Sequence, residues 1–484
     1  MTVNGAVRLR ATRIGPSLEP DPARVLIRPF RPSRNDIARN ILKRVLALTE
    51  HEVQIQLKSV LAEFGDRHGA VEKFFLMRFA RVRHLLPSRP TLSEQRRKLV
   101  GSFFTHEYSL EAAALFNPSI VPHPDQSRVP PGALRFVLSL RATGEGHISS
   151  ITFREGLINA QHRVELEGAE PLVAEPDHVP SALYEKPLFS RKLAEAGIES
   201  RFSRAALAQL GDTFTIADLR RALPSAARGG GADHAARGME LLAESNYQVR
   251  FAPDQPVSQR VIFPFTPSQS NGIEDARFVR FHREDGSFTY FATYTAYDGK
   301  IILPQLLETP DFLNFKFITL NGPAVQNKGM ALFPRQINGH YAMLSRQDDE
   351  NILIMFSDNL HFWADPKILL SPEQPWEFVK LGNCGSPIET EAGWLVLSHG
   401  VGAMRKYCIG AFLLDLEDPT RVIGRLRDPL LSPEEAEREG YVPNVVYTCG
   451  SILHDRELII PYAMSDSATS FATVNLDTLL AAMK

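Results

Sequence analysis

Charged and hydrogen-bonding residues that could do chemistry recur at the ends of apolar runs. The segment Asn271-Gly272-Ile273-Glu274-Asp275-Ala276-Arg277-Phe278 sets two carboxylates and a guanidinium beside a glycine turn, at the mouth of a strand. Alone, Glu274-Asp275 reads as a solvated turn pair. With apolar strands on both sides, at least one charge must point along the axis or pair with Arg277. A carboxylate confined in a cleft can have a raised pKa and serve as a proton donor. Lys328, Arg346 and His399 fall at the inner ends of further runs. Like charges gathered without a partner repel, so such a cluster fits a bound anion, and phosphate or sulfate suits it.

The elements that must position these groups are strands. A short phrase, an aromatic or aliphatic run ending on a polar residue, recurs at Arg135–Arg141, Tyr290–Tyr297, His340–Arg346, Trp394–His399 and Leu458–Tyr462, the last closing on Ser465-Asp466. From the second copy onward the starts are spaced like propeller blades. The polar ends differ: Arg141, Tyr297, Arg346, His399 and Asp466. In a propeller such positions converge on one axial pocket.

The 484 residues are 44% hydrophobic and 23% charged, with net charge −2, an ordinary globular composition. That charge gives no general attraction to nucleic acid or anionic membrane. No stretch has the apolar length of a membrane span, and the arginine-bearing start has no apolar core of a secretory signal. Cys384, Cys408 and Cys449 lack metal-ligand spacing and read as buried thiols in a reducing cytoplasm. The expected location is cytoplasmic.

Residues 1–32 lack periodicity and read as an extended or disordered arm. Residues 33–111 read as a helical N-terminal extension: Ile37, Ile41, Val45 and Leu48 fall at helix spacing, Thr49 is an N-cap candidate, and Thr91-Leu92-Ser93-Glu94 opens a helix continuing towards Leu115. Residues 112–484 read as an all-β core, interrupted over 186–245 by a helical insertion with a flexible joint at Arg228–Gly231. The insertion is either a loop excursion or an arm for a neighbouring subunit.

Several stretches carry a likeness beyond this reading. Asn271–Phe278 followed by Thr293–Gly299, then Lys328–Pro334, Ser357–Trp363, Gly393–Leu395 with His399-Gly400, Asp415–Pro419, Val442–Tyr447 and Cys449-Gly450 occur in one order over about residues 112–480. In these the chain resembles glycoside hydrolase family 130, mainly β-mannoside phosphorylases with some β-mannosidases. The resemblance implies a five-bladed β-propeller whose central pocket holds a mannosyl unit. It implies that Asp275 is the proton donor, acting through the sugar 3-hydroxyl, and that Lys328, Arg346 and His399 hold phosphate. It assigns sugar binding to Asn117, Ser119, Arg141 and Asp466, with Arg277 and Tyr297 as neighbours.

An inverting hydrolase needs an acid and a base with water between, whereas inverting phosphorolysis needs the acid and a cationic cradle for an already nucleophilic anion. The three cradle positions here are basic or imidazole, which favours a phosphorylase. The acidic run Asp348-Asp349-Glu350 keeps a hydrolase open, as a base, or is a solvated hairpin turn. A sugar-binding propeller without turnover is the non-enzymatic alternative, and a buried proton donor argues against it. Trp363, Trp376 and Trp394 read as core, His147 as a loop histidine, and Tyr447 as within reach of the pocket. The expectation is therefore an inverting β-mannoside phosphorylase yielding α-mannose 1-phosphate. It would use no metal or organic cofactor, take inorganic phosphate as co-substrate and a small β-mannoside as partner, and assemble as a homo-oligomer.

Overall fold

The computed structural model describes residues 9–86, 91–168, 172–179, 183–226 and 232–483. Its core is all-β, and the strands follow one another in five antiparallel groups. The first comprises Ala114–Pro122, Leu134–Thr143, Ser149–Ile158 and Val164–Leu166. The second runs through Gly272–His282, Phe288–Tyr297, Ile302–Thr309 and Asn314–Thr319. A single parallel pairing of Gly272 with Ser149 joins these two groups into one sheet. The third holds Ala331–Leu332, Tyr341–Ser345, Ile352–Ser357 and Lys367–Leu370. The fourth centres on Lys380–Asn383, Gly393–Val401, Tyr407–Leu414 and Val422–Arg425. The fifth contains Val446–Tyr447, Ile452–His454, Glu457–Met464 and Ala468–Asn475. Each copy of the repeated phrase is an inner strand of its group, so the polar residues at its end stand at equivalent places.

The apolar residues of each strand pack between groups rather than within one. Val137 and Phe153 of the first group share a core with Phe278 and Ala292 of the second. Phe291 and Leu306 of the second meet Met343 and Met355 of the third. Leu344 and Ile354 of the third meet Val396 and Phe412 of the fourth, and Leu397 and Ile409 of the fourth meet Leu458 and Ile460 of the fifth. Ile452, Ile459 and Phe471 of the fifth pack on Phe136 and Leu138 of the first. The contacts therefore close on themselves. Burial of these side chains, worth roughly 1.5–3 kcal/mol each, is the main force holding the groups in register.

The segment 1–32 differs from its expectation as a free arm. Thr12–Leu18 pairs antiparallel with Ala468–Asn475 and completes the fifth group, while Val25–Pro29 pairs with Thr105–Ser109. Residues 1–8 lie outside the described residues. Between these strands Arg24 is fully buried, its Nε 3.0 Å from Glu111 Oε1, and Arg154 Nη2 donates to the same oxygen at 2.8 Å. Burial, then the neighbouring Arg154, brings the Arg24 guanidinium down to about 10. A buried ion pair survives only with its hydrogen bonds made, so this one fixes the chain's entry to the sheets.

Helices occupy Asn35–Leu46, Glu50–Phe64, Val71–Val82 and Glu94–Ser102 around one apolar core. Thr49 caps the second as a capping box, accepting from Glu52 N–H at 3.2 Å while Glu52 Oε2 accepts from Thr49 N–H at 2.7 Å. The helix opened at Ser93 ends at Ser102 instead of running towards Leu115, because the chain turns there into Thr105–Ser109. In 186–245 the helices Lys186–Glu195, Arg201–Leu207, Ile216–Ala226 and Ala232–Glu244 enclose a separate core around Phe189, Phe214 and Met239. The joint expected at Arg228–Gly231 lies outside the described residues. Among the described residues no helix is long and apolar enough to cross a membrane.

The tightest helix contact yields a test. A Cβ on Gly101 would lie 1.8 Å from the Phe75 carbonyl oxygen, whereas one on Gly65 meets nothing within 4 Å. Gly101→Ala is expected to destabilise by at least about 1–3 kcal/mol, as overpacking does. Gly65→Ala should be near neutral. Comparison of the two in denaturant unfolding checks this.

Candidate functional site

The site is built on two β-bulges. The pairing of Gly272–His282 with Phe288–Tyr297 shifts register between Glu274 and Arg277, and that of Ala114–Pro122 with Leu134–Thr143 shifts between Phe116 and Ser119. Asp275 and Asn117 occupy the irregular positions with φ of 55° and 49°, left-handed values that Asn and Asp tolerate better than most residues. A bulge re-aims a side chain out of the ladder. Here the two re-aimed side chains meet, Asn117 Nδ2 donating to Asp275 Oδ1 at 2.6 Å.

Cations surround that carboxylate. Arg141 Nη1 donates to Asp275 Oδ1 at 3.3 Å and its Nη2 to Glu274 Oε1 at 2.8 Å. Glu274, a buried residue, takes Lys328 Nζ on its other oxygen at 2.5 Å. Arg277 Nη1 donates to the Asp275 backbone carbonyl at 3.1 Å, and its Nη2 to Tyr447 Oη at 2.6 Å. Burial alone pushes the Asp275 carboxyl up, but Arg141, Arg277, Lys328 and the Asn117 hydrogen bond outweigh it and hold it below the usual carboxylate range. Asp466 goes the other way: burial, then the charge of Asp275, raises it from 3.8 to about 6 against the pull of Arg141 and Arg405. Two carboxyl groups of one site thus have separated proton affinities.

A second cluster lies across Tyr447, whose ring centroid is 5.0 Å from that of His399. Arg346 Nη1 donates to His399 Nε2 at 3.1 Å. A guanidinium has only donors, so His399 Nε2 is the acceptor and the imidazole is neutral. Burial first, then Arg346, Arg277 and Lys380, lower its pKa well below 6.5. Its Nδ1 faces Cys384 Sγ at 3.9 Å, a thiol that burial pushes up to about 12. Asp349 lies 3.6 Å from Arg346 Nε and 2.9 Å from Lys380 Nζ. Gly382 fits closely beneath: a Cβ there would stand 2.4 Å from His399 Cε1 and 3.2 Å from Arg346 Cδ.

Asn117, Arg141, Arg277, Lys328 and Asp275 are brought into direct contact, Asp466 into their electrostatic reach, and Arg346 with His399 into the adjoining cluster. Two expectations are corrected. Ser119 is fully buried and its Oγ accepts from Phe278 N–H at 3.0 Å, so it fastens two strands instead of facing the pocket. His399 is no cation, because its burial among cations disfavours a further charge, and it positions Arg346. Tyr297 stands opposite Gly272 at the strand end, and among the described residues no hydrogen bond or ion pair links it to the cluster. Lys328 is not a free cation, since Glu274 neutralises it. Sequence reasoning missed Glu274 as the bridge and Lys380 as a further cation. Lys380 begins a strand ahead of Gly382, and its only signal was that close glycine. A cavity of about 640 Å³ lies elsewhere, between the helix Val71–Val82 and residues 172–178, and includes none of these groups.

Comparison with known proteins agrees with this chemistry. Residues 253–484 match a family described as beta-1,4-mannooligosaccharide phosphorylase. A 1,2-beta-oligomannan phosphorylase of Thermoanaerobacter sp. is 37% identical over 219 residues, 44% of this chain and 71% of that protein. A beta-1,2-mannobiose phosphorylase of Listeria innocua is 33% identical over 227 residues, 45% of this chain and 62% of its own length. A solved beta-1,2-mannobiose phosphorylase from Listeria innocua aligns with TM-score 0.45 and 23% identity, over 77% of this chain and 92% of that one.

Site and likeness together define an enzyme of the glycoside phosphorylase class. The chain belongs to glycoside hydrolase family 130.

The raised Asp466 carboxyl has a sign that can be checked. Because the folded state holds its proton more tightly than the unfolded chain, its contribution to stability is full below pH 3.8 and is lost as pH rises through about 6. Asp466→Asn is therefore expected to raise the unfolding temperature relative to the wild type at pH 7.5 and to leave it little changed at pH 4. An equal shift at both pH values would contradict the assignment.

Proposed function

We propose that the protein is an inverting β-mannoside phosphorylase, which cleaves a β-mannosidic bond with inorganic phosphate and releases α-mannose 1-phosphate. The observation that carries this reading is the pairing of a half-buried carboxyl, Asp275, with a separate cationic cluster of Arg346 and Lys380 set by His399. The frame is read as a five-bladed β-propeller, supported by five strand groups whose shared cores run in a closed cycle.

In the proposed reaction phosphate is held by Arg346 and Lys380, with Lys328 at the edge, and attacks the anomeric carbon from the face opposite the leaving sugar. The C1–O bond to that sugar breaks as the bond to phosphate forms, and a proton from Asp275 reaches the leaving oxygen through the mannose 3-hydroxyl. Asn117 and Arg141 keep Asp275 in position, and Asp466 hydrogen-bonds the sugar. An ionised Asp275 cannot donate, so its proton affinity must rise in the reacting complex. The phosphate dianion supplies this: its charge offsets the cationic field that holds Asp275 low.

A mannosidase would instead need a free carboxylate facing the substrate. Asp348 is occupied as a turn cap, its Oδ1 accepting from Glu350 and Asn351 N–H at 3.0 and 2.8 Å, and Asp349 is paired with Lys380. Both facts support phosphate as the nucleophile.

Incubation with β-1,2- and β-1,4-mannobiose, with and without phosphate, tests the reading. Phosphate-dependent formation of α-mannose 1-phosphate is expected, and phosphate-independent release of free mannose would make the enzyme a hydrolase. Asp275→Asn should lower turnover at least ~10²-fold, the usual worth of a general acid, with the fold intact by circular dichroism. Arg346→Ala should raise the KM for phosphate while leaving mannoside binding unchanged.

A further inference from the structure

We propose that His162, His454 and Asp455 form a binding site for a divalent transition-metal ion of the zinc or nickel kind, which fastens the fifth strand group to the first. His162 lies in the turn joining Ser149–Ile158 to Val164–Leu166, and Asp455 in the turn joining Ile452–His454 to Glu457–Met464. One ligand atom from each of the three lies within 4.8 Å of the others. Asp455 Oδ2 stands 3.8 Å from His162 Nε2 and 3.9 Å from His454 Nε2. Those separations are too long for hydrogen bonds. They are shorter than two metal–ligand bonds laid end to end, about 4.0–4.4 Å for zinc, so one ion can touch both atoms.

A second observation points the same way. His162 Nε2 is buried and has no hydrogen-bond partner among the described residues. Buried polar atoms are rarely left unpaired, and a ligand lone pair directed at Asp455 and His454 is satisfied by a cation. The two rings meet nearly edge-on, 5.5 Å apart with planes at 70°, which leaves their nitrogens directed into a common space. Asp455 is exposed on its turn, so its carboxylate closes on an ion without disturbing the core. Two imidazoles and one carboxylate, without a thiolate, suit zinc, nickel or cobalt better than calcium or cuprous copper.

His454 Nε2 is 3.0 Å from the Gly132 carbonyl oxygen and carries its proton there. Metal binding at Nε2 requires the other tautomer, the proton moving to Nδ1, and it competes with formation of the imidazolium, so affinity falls in acid; Gly132 O is left beside the ion as an oxygen donor. Beneath the site, Phe136 and Ile158 of the first group pack on Ile452 and Ile459 of the fifth. An ion bound across these turns binds only the closed arrangement and stabilises it by mass action. None of the three residues contacts the Asp275 cluster among the described residues, so this effect is separate from turnover.

The test uses the full chain without an affinity tag, stripped with EDTA, in calorimetric titrations with Zn²⁺ and Ni²⁺ and in thermal unfolding. The expected result is one ion per chain and a rise in unfolding temperature of about 3 °C at a hundredfold excess over Kd. His162→Asn, which keeps a residue suited to the φ of 58° there, should fold with the metal-free wild-type unfolding temperature and lose both effects. Asp455→Asn should weaken binding at least tenfold. Absence of saturable binding by the wild type overturns the proposal. So does binding that persists undiminished in His162→Asn, which would place the ion elsewhere.

Discussion

The hydrogen bond from Asn117 to Asp275 joins two bulges on neighbouring strand groups, and most of the site follows from the carboxylate it holds. A negative charge largely withdrawn from water is tolerable only with compensation, and Arg141, Arg277 and Lys328 provide it. That in turn gives an excess of positive charge, which Glu274 reduces by accepting from both Arg141 and Lys328. Removing any one member leaves a buried charge unbalanced. The arrangement is therefore rigid for an electrostatic reason as well as a steric one.

The Asp275 cluster and the Arg346 cluster are joined through Arg277 and Tyr447. Arg277 touches the backbone of Asp275 on one side and the Tyr447 hydroxyl on the other, and the Tyr447 ring lies against His399. His399 then fixes Arg346 as a hydrogen-bond acceptor. An uncharged imidazole serves this role better than a charged one, since it adds no repulsion to a region already rich in cations. The field of one cluster reaches the other through a short, buried path where screening by water is weak.

Much of this was readable from residue order. The recurring strand phrase marked an inner strand in each of the five groups, and Arg141, Arg346, His399 and Asp466 do stand at their ends. Thr49 announced a helix start through its hydroxyl, and the stretch Thr91–Glu94 another. What escaped was whatever depended on pairing across long separations. Nothing local marks Thr12–Leu18 as the partner of Ala468–Asn475, or Arg24 as the partner of Glu111. The same limit hid the neutralisation of Lys328 by Glu274, which turns on two side-chain directions, and the burial of Ser119, which turns on which bulge meets which strand. Charge type was legible, but charge balance was not.

The strand Thr12–Leu18 precedes in the chain every other strand of the sheet it completes. Until those strands are made it has no edge to pair with. Its pairing must wait for residues beyond 468, when the first group also packs on the fifth. Until then the unpaired strand Thr12–Leu18 and the apolar face of the first group are exposed together, which invites contact between nascent chains. The burden on quality control during expression therefore falls on this one late step.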